Sequence, residues 1–347
     1  WDAPKPFRSD ATGATAVPYP DDYAWGEPYR PESVLANLKK LIAEFQPTRI
    51  FAPHPADGNP DHRAGANFVR LALLELQHQG VRPEVFFYVV HFGAWPSPYG
   101  YHPDVSMKPP VALRAWGTWF ELPLTRQQTE AKYAAIRKNV SQLVPRPYFL
   151  VALAKRNELF VSLPTLTIPI FKTGQAPQWS QTVRNPAIAV DNTLPRSQLD
   201  TSGDDEVPVR MGLKQTHLFR QGNSLGIWIE PHNMAGLRCN THLFLYGYGR
   251  NVSFAKLPKL HINLNPLGQL AVYDHLGAAG HPRAIAEHGI VTELHGGNRK
   301  VLRVPLDLLG TSPLDYLFTA TMDNLFQITP NHSAWELYSL GGGAGSG

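Results

Sequence analysis

At 347 residues the chain exceeds what one ordinary hydrophobic core accommodates, and two domains are expected. Its 43% hydrophobic and 17% charged residues, with no apolar run near the ~20 residues of a membrane span, exclude a disordered chain and a helical membrane protein. The net charge of +4 contains no run of five or more like charges, so no nucleic-acid partner is expected, and the lone Cys239 leaves only His and carboxylates as ligands for a metal.

In chain order, Val34, Leu35, Leu38, Leu41, Ile42 and Phe45 fall at helical spacing between Pro31 and Pro47, predicting an amphipathic helix. Residues 49–52 read as a short buried strand, and 64–77 return to helical spacing through Phe68, Leu71 and Leu74. Residues 85–90 are apolar throughout, which suits an interior parallel strand covered on both faces. Thr125 with Gln128 makes a capping box for a helix running to about residue 143. This alternation predicts an α/β layered domain over 1–163. A Pro-, Thr- and Gln-rich linker is expected over 164–205, and an all-β sandwich over 206–340 from seven short apolar runs separated by Gly, Asn and Pro. Gly222–Gly226 and Gly247-Tyr248-Gly249 read as hairpin turns, and 341–347 as a flexible tail.

The densest chemistry lies in Ala52-Pro53-His54-Pro55-Ala56-Asp57-Gly58-Asn59-Pro60-Asp61-His62-Arg63, between a predicted strand and a predicted helix. A strand-to-helix loop of this kind lies at the carboxyl edge of a parallel sheet, where ligands bind. His54, Asp57, Asp61 and His62 are of the types that hold a catalytic zinc and leave a position open for water. The simpler alternative is that Asp61 caps the following helix and the histidines pack in the loop. His91 ends the 85–90 strand on the same edge, and the aromatic loop from Trp95 to Tyr101 follows it; Trp95 and Tyr99 suit stacking on a sugar ring.

The stretch Asn59-Pro60-Asp61-His62-Arg63-Ala64 resembles the second signature of the LmbE/PIG-L family of zinc-dependent amino-sugar de-N-acetylases, which reads His-Pro-Asp-His-Arg-Ala. Lys132 through Ser141-Gln142, followed by Glu158-Leu159-Phe160, is similar to that family's closing pattern. The resemblance implies a Rossmann-like layered domain with zinc at the sheet's carboxyl edge, His62 as a metal ligand and Asp61 as the carboxylate orienting a neighbouring His. Asn59 stands where the family carries its catalytic His, so the acid role passes to His91 or His54, with the Asn59 amide available to an oxyanion. The family's opening His-Pro-Asp-Asp signature is absent from these residues, and a preceding segment is expected to supply it. Tyr19-Pro20-Asp21-Asp22 resembles it superficially, and Asp22 is a candidate substrate contact. The implied substrate is an N-acetylated sugar or glycan; the alternative is a noncatalytic carbohydrate-binding protein whose α/β part is a remnant. An extracellular or cell-envelope bacterial setting is expected from the single cysteine, the proline-rich connector and the appended β-domain.

Overall fold

Helix α1 (Pro31–Phe45) opens with proline at its first position, whose missing N–H costs nothing there. It ends at Gln46 in the left-handed conformation, with Pro47 forbidding continuation. Strand β1 (Arg49–Pro53) follows, then helix α2 (Pro60–Leu76), whose N-cap Asn59 accepts the Asp61 N–H through its side chain. The cap is therefore Asn59 and not Asp61. A computed structural model describes residues 5–93, 95–144, 147–188, 212–232, 238–275, 283–285, 289–295, 299–310, 314–324 and 331–341. The predicted tail at 341–347 lies almost wholly outside them.

Strands β2 (Glu84–Tyr88), β3 (Thr118–Pro123) and β4 (Asn157–Ser162) join β1 in a four-stranded sheet ordered β1-β2-β4-β3. Only β1 and β2 are parallel; β4 runs antiparallel to β2 and β3 antiparallel to β4. The expected parallel, Rossmann-like layer is thus not what these residues form. α2 covers one face through Ala66 and Val69 against Ala52, Phe87 and Val161. The other face carries a row of rings, Phe51 on Phe86 at 5.6 Å, Phe51 on Phe160 at 4.9 Å and Phe86 on Phe120 at 5.3 Å. Phe51 is 53% and Phe120 44% exposed there, so the expectation that residues 85–90 are covered on both faces fails. The capping box at Thr125 is present and starts α3 (Arg126–Lys138), but the helix stops at Asn139 and a separate turn, α4 (Val140–Leu143), follows.

The remaining strands build the β-rich half. β5 (Leu166–Thr167), β6 (Ile170–Phe171) and β7 (Val183–Ile188) already pair within it, so the first part of the expected linker is sheet; 189–211 lie outside the described residues. β8 (Leu213–Gln221), β9 (Ser224–Pro231), β14 (Val291–His295) and β15 (Arg299–Pro305) form one antiparallel layer with β7. β10 (Asn240–Tyr248), β11 (Lys259–Leu264), β12 (Leu270–Asp274), β13 (Arg283–Ile285), β16 (Tyr316–Asn324), β17 (Asn331–Ser333) and β18 (Glu336–Ser339) form the other, and β7 pairs with both layers. Leu218, Ile227 and Leu302 from the first meet Leu243, Leu245, Ile262 and Leu317 from the second in one buried core. Alternation of apolar residues along each strand places them on that inner face. The β8–β9 turn falls at Gly222 as expected. Gly247 does not turn: it lies within β10, where a Cβ would come within 2.6 Å of Leu314 and 2.8 Å of Pro258.

The two halves share a core. Leu35, Ile42, Phe68 and Leu71 of α1 and α2 pack against Tyr246, Tyr248, Phe318 and Leu337 on the outer face of the β10-containing layer.

Buried histidines make the fold acid-sensitive. His217 on β8 lies under the Trp179 ring, 2.7 Å from the Thr182 hydroxyl, and burial, the largest influence, holds it down to about 4 from an ordinary 6.5. Its folded value is below its unfolded one, so its contribution is intact above about pH 6.5 and is lost as pH falls toward 4. We expect the thermal midpoint to drop across this window, and His217→Gln to flatten the drop. Parallel melting curves for the two proteins would contradict this.

Candidate metal centre

The loop joining β1 to α2 and the segment leaving β2 meet because the two strands are parallel, with Pro53 in register with Tyr88. His54 N–H donates to the Tyr88 carbonyl at 2.7 Å, and Gly58 N–H to the His91 carbonyl at 2.5 Å. A Cβ at Gly58 would lie 2.9 Å from that same His91 oxygen, so glycine is what lets the two loops close.

This closure puts Asp57, His62 and His91 together, with one ligand atom from each lying within 4.8 Å of the others. Asp57 is the hub. One carboxylate oxygen lies 3.1 Å from His62 Nδ1 and 3.3 Å from His91 Nδ1 and accepts the Asn59 N–H; the other accepts the N–H groups of Val90 and His91. Burial alone would push the Asp57 carboxyl up, but the close His62 and His91 imidazoles and the Asn59 and Val90 backbone N–H groups outweigh it and hold the group far below the usual carboxylate range. Arg63 reaches back from the first turn of α2 to the carbonyls of Asp57 and Gly58, fixing the loop from outside.

An ionised carboxylate with two imidazoles is a donor set that suits zinc with a position left open. His62 Nδ1 is buried and has no well-aligned hydrogen bond although Asp57 is close, which is what a nitrogen disposed for a metal looks like in its absence. Among the described residues this is the one group of three His, Cys, Asp or Glu side chains so arranged.

The residues singled out in the sequence separate into those at this centre and those elsewhere. His62 and His91 belong to it, and Asn59 borders it through its backbone N–H. His54 does not: it is fully buried, and its Nδ1 accepts the Ala56 N–H, so Nε2 carries the proton. Burial, then Arg70, hold it down to about 3, leaving a neutral ring packed between Phe87 and Trp116 and unsuited to act as an acid. Asp61 is exposed in the first turn of α2, away from the two imidazoles; the carboxylate beside them is Asp57. Tyr99 stands one ring away, through Phe149, which lies 5.3 Å from the His91 ring. Trp95 is instead half-buried against Phe92 and Leu113, with its indole N–H on the Lys108 carbonyl. Asp22 caps its own turn by accepting the Ala24 N–H, in a loop whose Tyr23 lies against Lys40 of α1. Asp57 stands among the four ligand-type residues of the loop in the sequence, and Phe149 does not. The signal for Asp57 was its place between a strand end and a glycine, whereas nothing local marks Phe149.

No family model matches the sequence, and no curated protein does. Two solved structures of family 9 carbohydrate-binding modules from Caldicellulosiruptor kristjanssonii are similar to the chain. The module in complex with cellotriose has 10% identity and a TM-score of 0.29, covering 51% of this chain and 93% of its own. The module in complex with glucose has 14% identity and a TM-score of 0.25, covering 37% and 69%. Likeness of this degree fixes neither fold nor ligand.

Proposed function

We propose that the chain carries the metal centre of a zinc-dependent hydrolase that removes the N-acetyl group from an amino sugar or glycoconjugate. The observation that supports this is the meeting of Asp57, His62 and His91 at the carboxyl ends of two parallel strands, residues 34 positions apart in the case of Asp57 and His91. The resemblance of 59–64 and 132–160 to the LmbE/PIG-L de-N-acetylases supplies the substrate class. Zinc bound by these groups supplies a Lewis acid for an amide carbonyl.

The chain's own residues do the rest. Asp57, already ionised and hydrogen-bonded, keeps both imidazoles aimed inward before any metal arrives, so little ordering is needed on binding. Asn59 spends its side-chain oxygen on the Asp61 N–H, which leaves its amide Nδ2 as the donor for a substrate oxygen. Phe149, itself buried, backs the His91 ring, and the half-buried Tyr99 beyond it is the aromatic surface on which a sugar ring can rest.

The test is acetate release from N-acetylated amino sugars by zinc-loaded protein, comparing His91→Ala with His54→Gln. We expect His91→Ala to lower both zinc content and turnover, and His54→Gln to lower thermal stability while zinc stays bound. Unchanged zinc content in His91→Ala would remove His91 from the centre.

A second reading, noncatalytic carbohydrate binding by the β-rich half, is favoured by one feature. The half-buried Trp179 ring stacks on Trp228 at 5.0 Å and 11°, with the Arg299 guanidinium 4.3 Å away, an aromatic platform of the kind sugars stack on. Calorimetry with soluble oligosaccharides on wild type and Trp179→Ala separates the readings, since only this one predicts binding that is lost with Trp179 and indifferent to zinc.

A further inference from the structure

Three histidines that the proposed hydrolase does not use gather on the outer face of the β10-containing layer. In antiparallel pairs, residues directly opposite share a face. His242 on β10 is opposite Asn263 on β11, and His261 on β11 is opposite both Phe244 on β10 and Tyr273 on β12. His275 continues the alternation past the end of β12, its N–H held by the Lys259 carbonyl at 2.9 Å. His242, His261 and His275 therefore come from three adjacent strands onto one surface.

His242 and His261 already meet as a ligand pair, whereas the three histidines do not all lie within 4.8 Å of one another as the Asp57 group does, so His275 joins them by turning its ring inward. His242 Nδ1 and His261 Nε2 are 2.9 Å apart, and the His261 and His275 rings are 5.9 Å apart. Zinc–nitrogen bonds of about 2.0–2.1 Å at tetrahedral angles put two ligand nitrogens about 3.4 Å apart, so the pair must open by only ~0.5 Å to admit an ion. The His261 ring is fixed by stacking on Phe244 at 4.6 Å and 14° and on Tyr273 at 5.5 Å. Beside them, Asn263 Oδ1 is buried without a hydrogen-bond partner, an oxygen facing nothing that satisfies it. The Lys259 cation is turned away: its Nζ donates to the carbonyls of Phe254 and Leu257.

We propose that His242, His261 and His275 form a second, separate site for an imidazole-preferring divalent transition ion such as Zn²⁺, which clamps β10, β11 and β12 together. Imidazole ligands without a carboxylate select such ions over Mg²⁺ or Ca²⁺. The site does not depend on the hydrolase reading, and its test separates the two.

The full chain, freed of metal, is titrated with Zn²⁺ against a chromophoric chelator and with Co²⁺ followed by its absorption spectrum. We expect the His62→Ala/His91→Ala protein still to bind one equivalent, and that equivalent to vanish when His261→Phe, which keeps the ring stack, is added. In the otherwise wild-type chain, His261→Phe and, independently, His242→Gln should each reduce bound metal by one equivalent with the circular dichroism spectrum unchanged. One equivalent in wild type that is lost with His261→Phe and unaffected by His62→Ala supports this site and overturns the hydrolase centre. Wild-type stoichiometry in folded His261→Phe and His242→Gln proteins overturns the proposal and leaves a plain hydrogen-bonded histidine pair.

Discussion

His62→Ala is expected to strip the Asp57 centre of zinc and to reduce acetate release to background while the protein stays folded. Three features combine to give this outcome. His62 lies in the first turn of α2 and its side chain retains 27% of its exposure, so shortening it opens no core cavity. It touches the His91 ring at 5.0 Å and Asp57, whose carboxylate keeps the donors of Asn59, Val90 and His91 when His62 is gone. The fold cost is then of the order of one hydrogen bond to a charged group, about 1.5–3 kcal/mol. For the metal the loss is far larger: removing a partner outside the coordination shell typically costs about 10–100-fold in affinity, and removing a ligand costs more. Metal analysis after dialysis, acetate release and a melting curve on the same preparation check the three parts. Stoichiometric zinc that depends on His91 but not on His62 would show that the loop had been assigned the wrong ligand.

The second large effect lies 8 residues further along the same helix. Arg70 is buried between the halves, its guanidinium 3.7 Å from the Glu336 carboxylate, 3.4 Å from the Trp335 carbonyl and 5.0 Å above the Phe87 ring. Burial pulls Arg70 below and pushes Glu336 above their ordinary values, and each opposes the shift of the other, so the charges persist only as a pair. Arg70→Met should therefore destabilise by about 3–5 kcal/mol, since it leaves a buried carboxyl uncompensated. Arg70→Met/Glu336→Gln should recover part of that loss, because a neutral amide tolerates the site better than an orphaned acid. Urea unfolding of the wild type and the two variants reads both effects. Equal stability of Arg70→Met and wild type would mean that the contact between the halves is carried by the apolar residues around Leu71 and Phe318 alone.

Local elements were legible in the sequence because their causes are local. The spacing of Leu35, Leu38 and Ile42 and the stops at Pro31 and Pro47 define α1 whatever surrounds it, and Thr125 with Gln128 starts α3 by a hydrogen-bond exchange spanning four residues. Six of the seven apolar runs of the β-rich half lie within strands for the same reason, and the seventh, 289–292, overlaps the start of β14. His62 was identifiable from a short motif, and the loop holding Asp57 from its place between a strand and a helix.

Tertiary structure alone decided the rest, because strand order and direction are set by partners far along the chain. Nothing in 118–123 or 157–162 announces that these strands run antiparallel beside β2, and an apolar run such as 85–90 reads the same whether one face or both are covered. Residues 166–188 look like a connector because prolines break their pattern, yet short edge strands need only a few free backbone groups to join a sheet. The centre itself is non-local in the same sense. Asp57 meets His91 only because β1 and β2 pair in parallel with Pro53 opposite Tyr88, and His242 meets His261 only through the β10–β11 register. Each residue's chemistry is written in its side chain, but the few ångströms separating such pairs are the product of backbone pairing across sequence separations of 34 and 19.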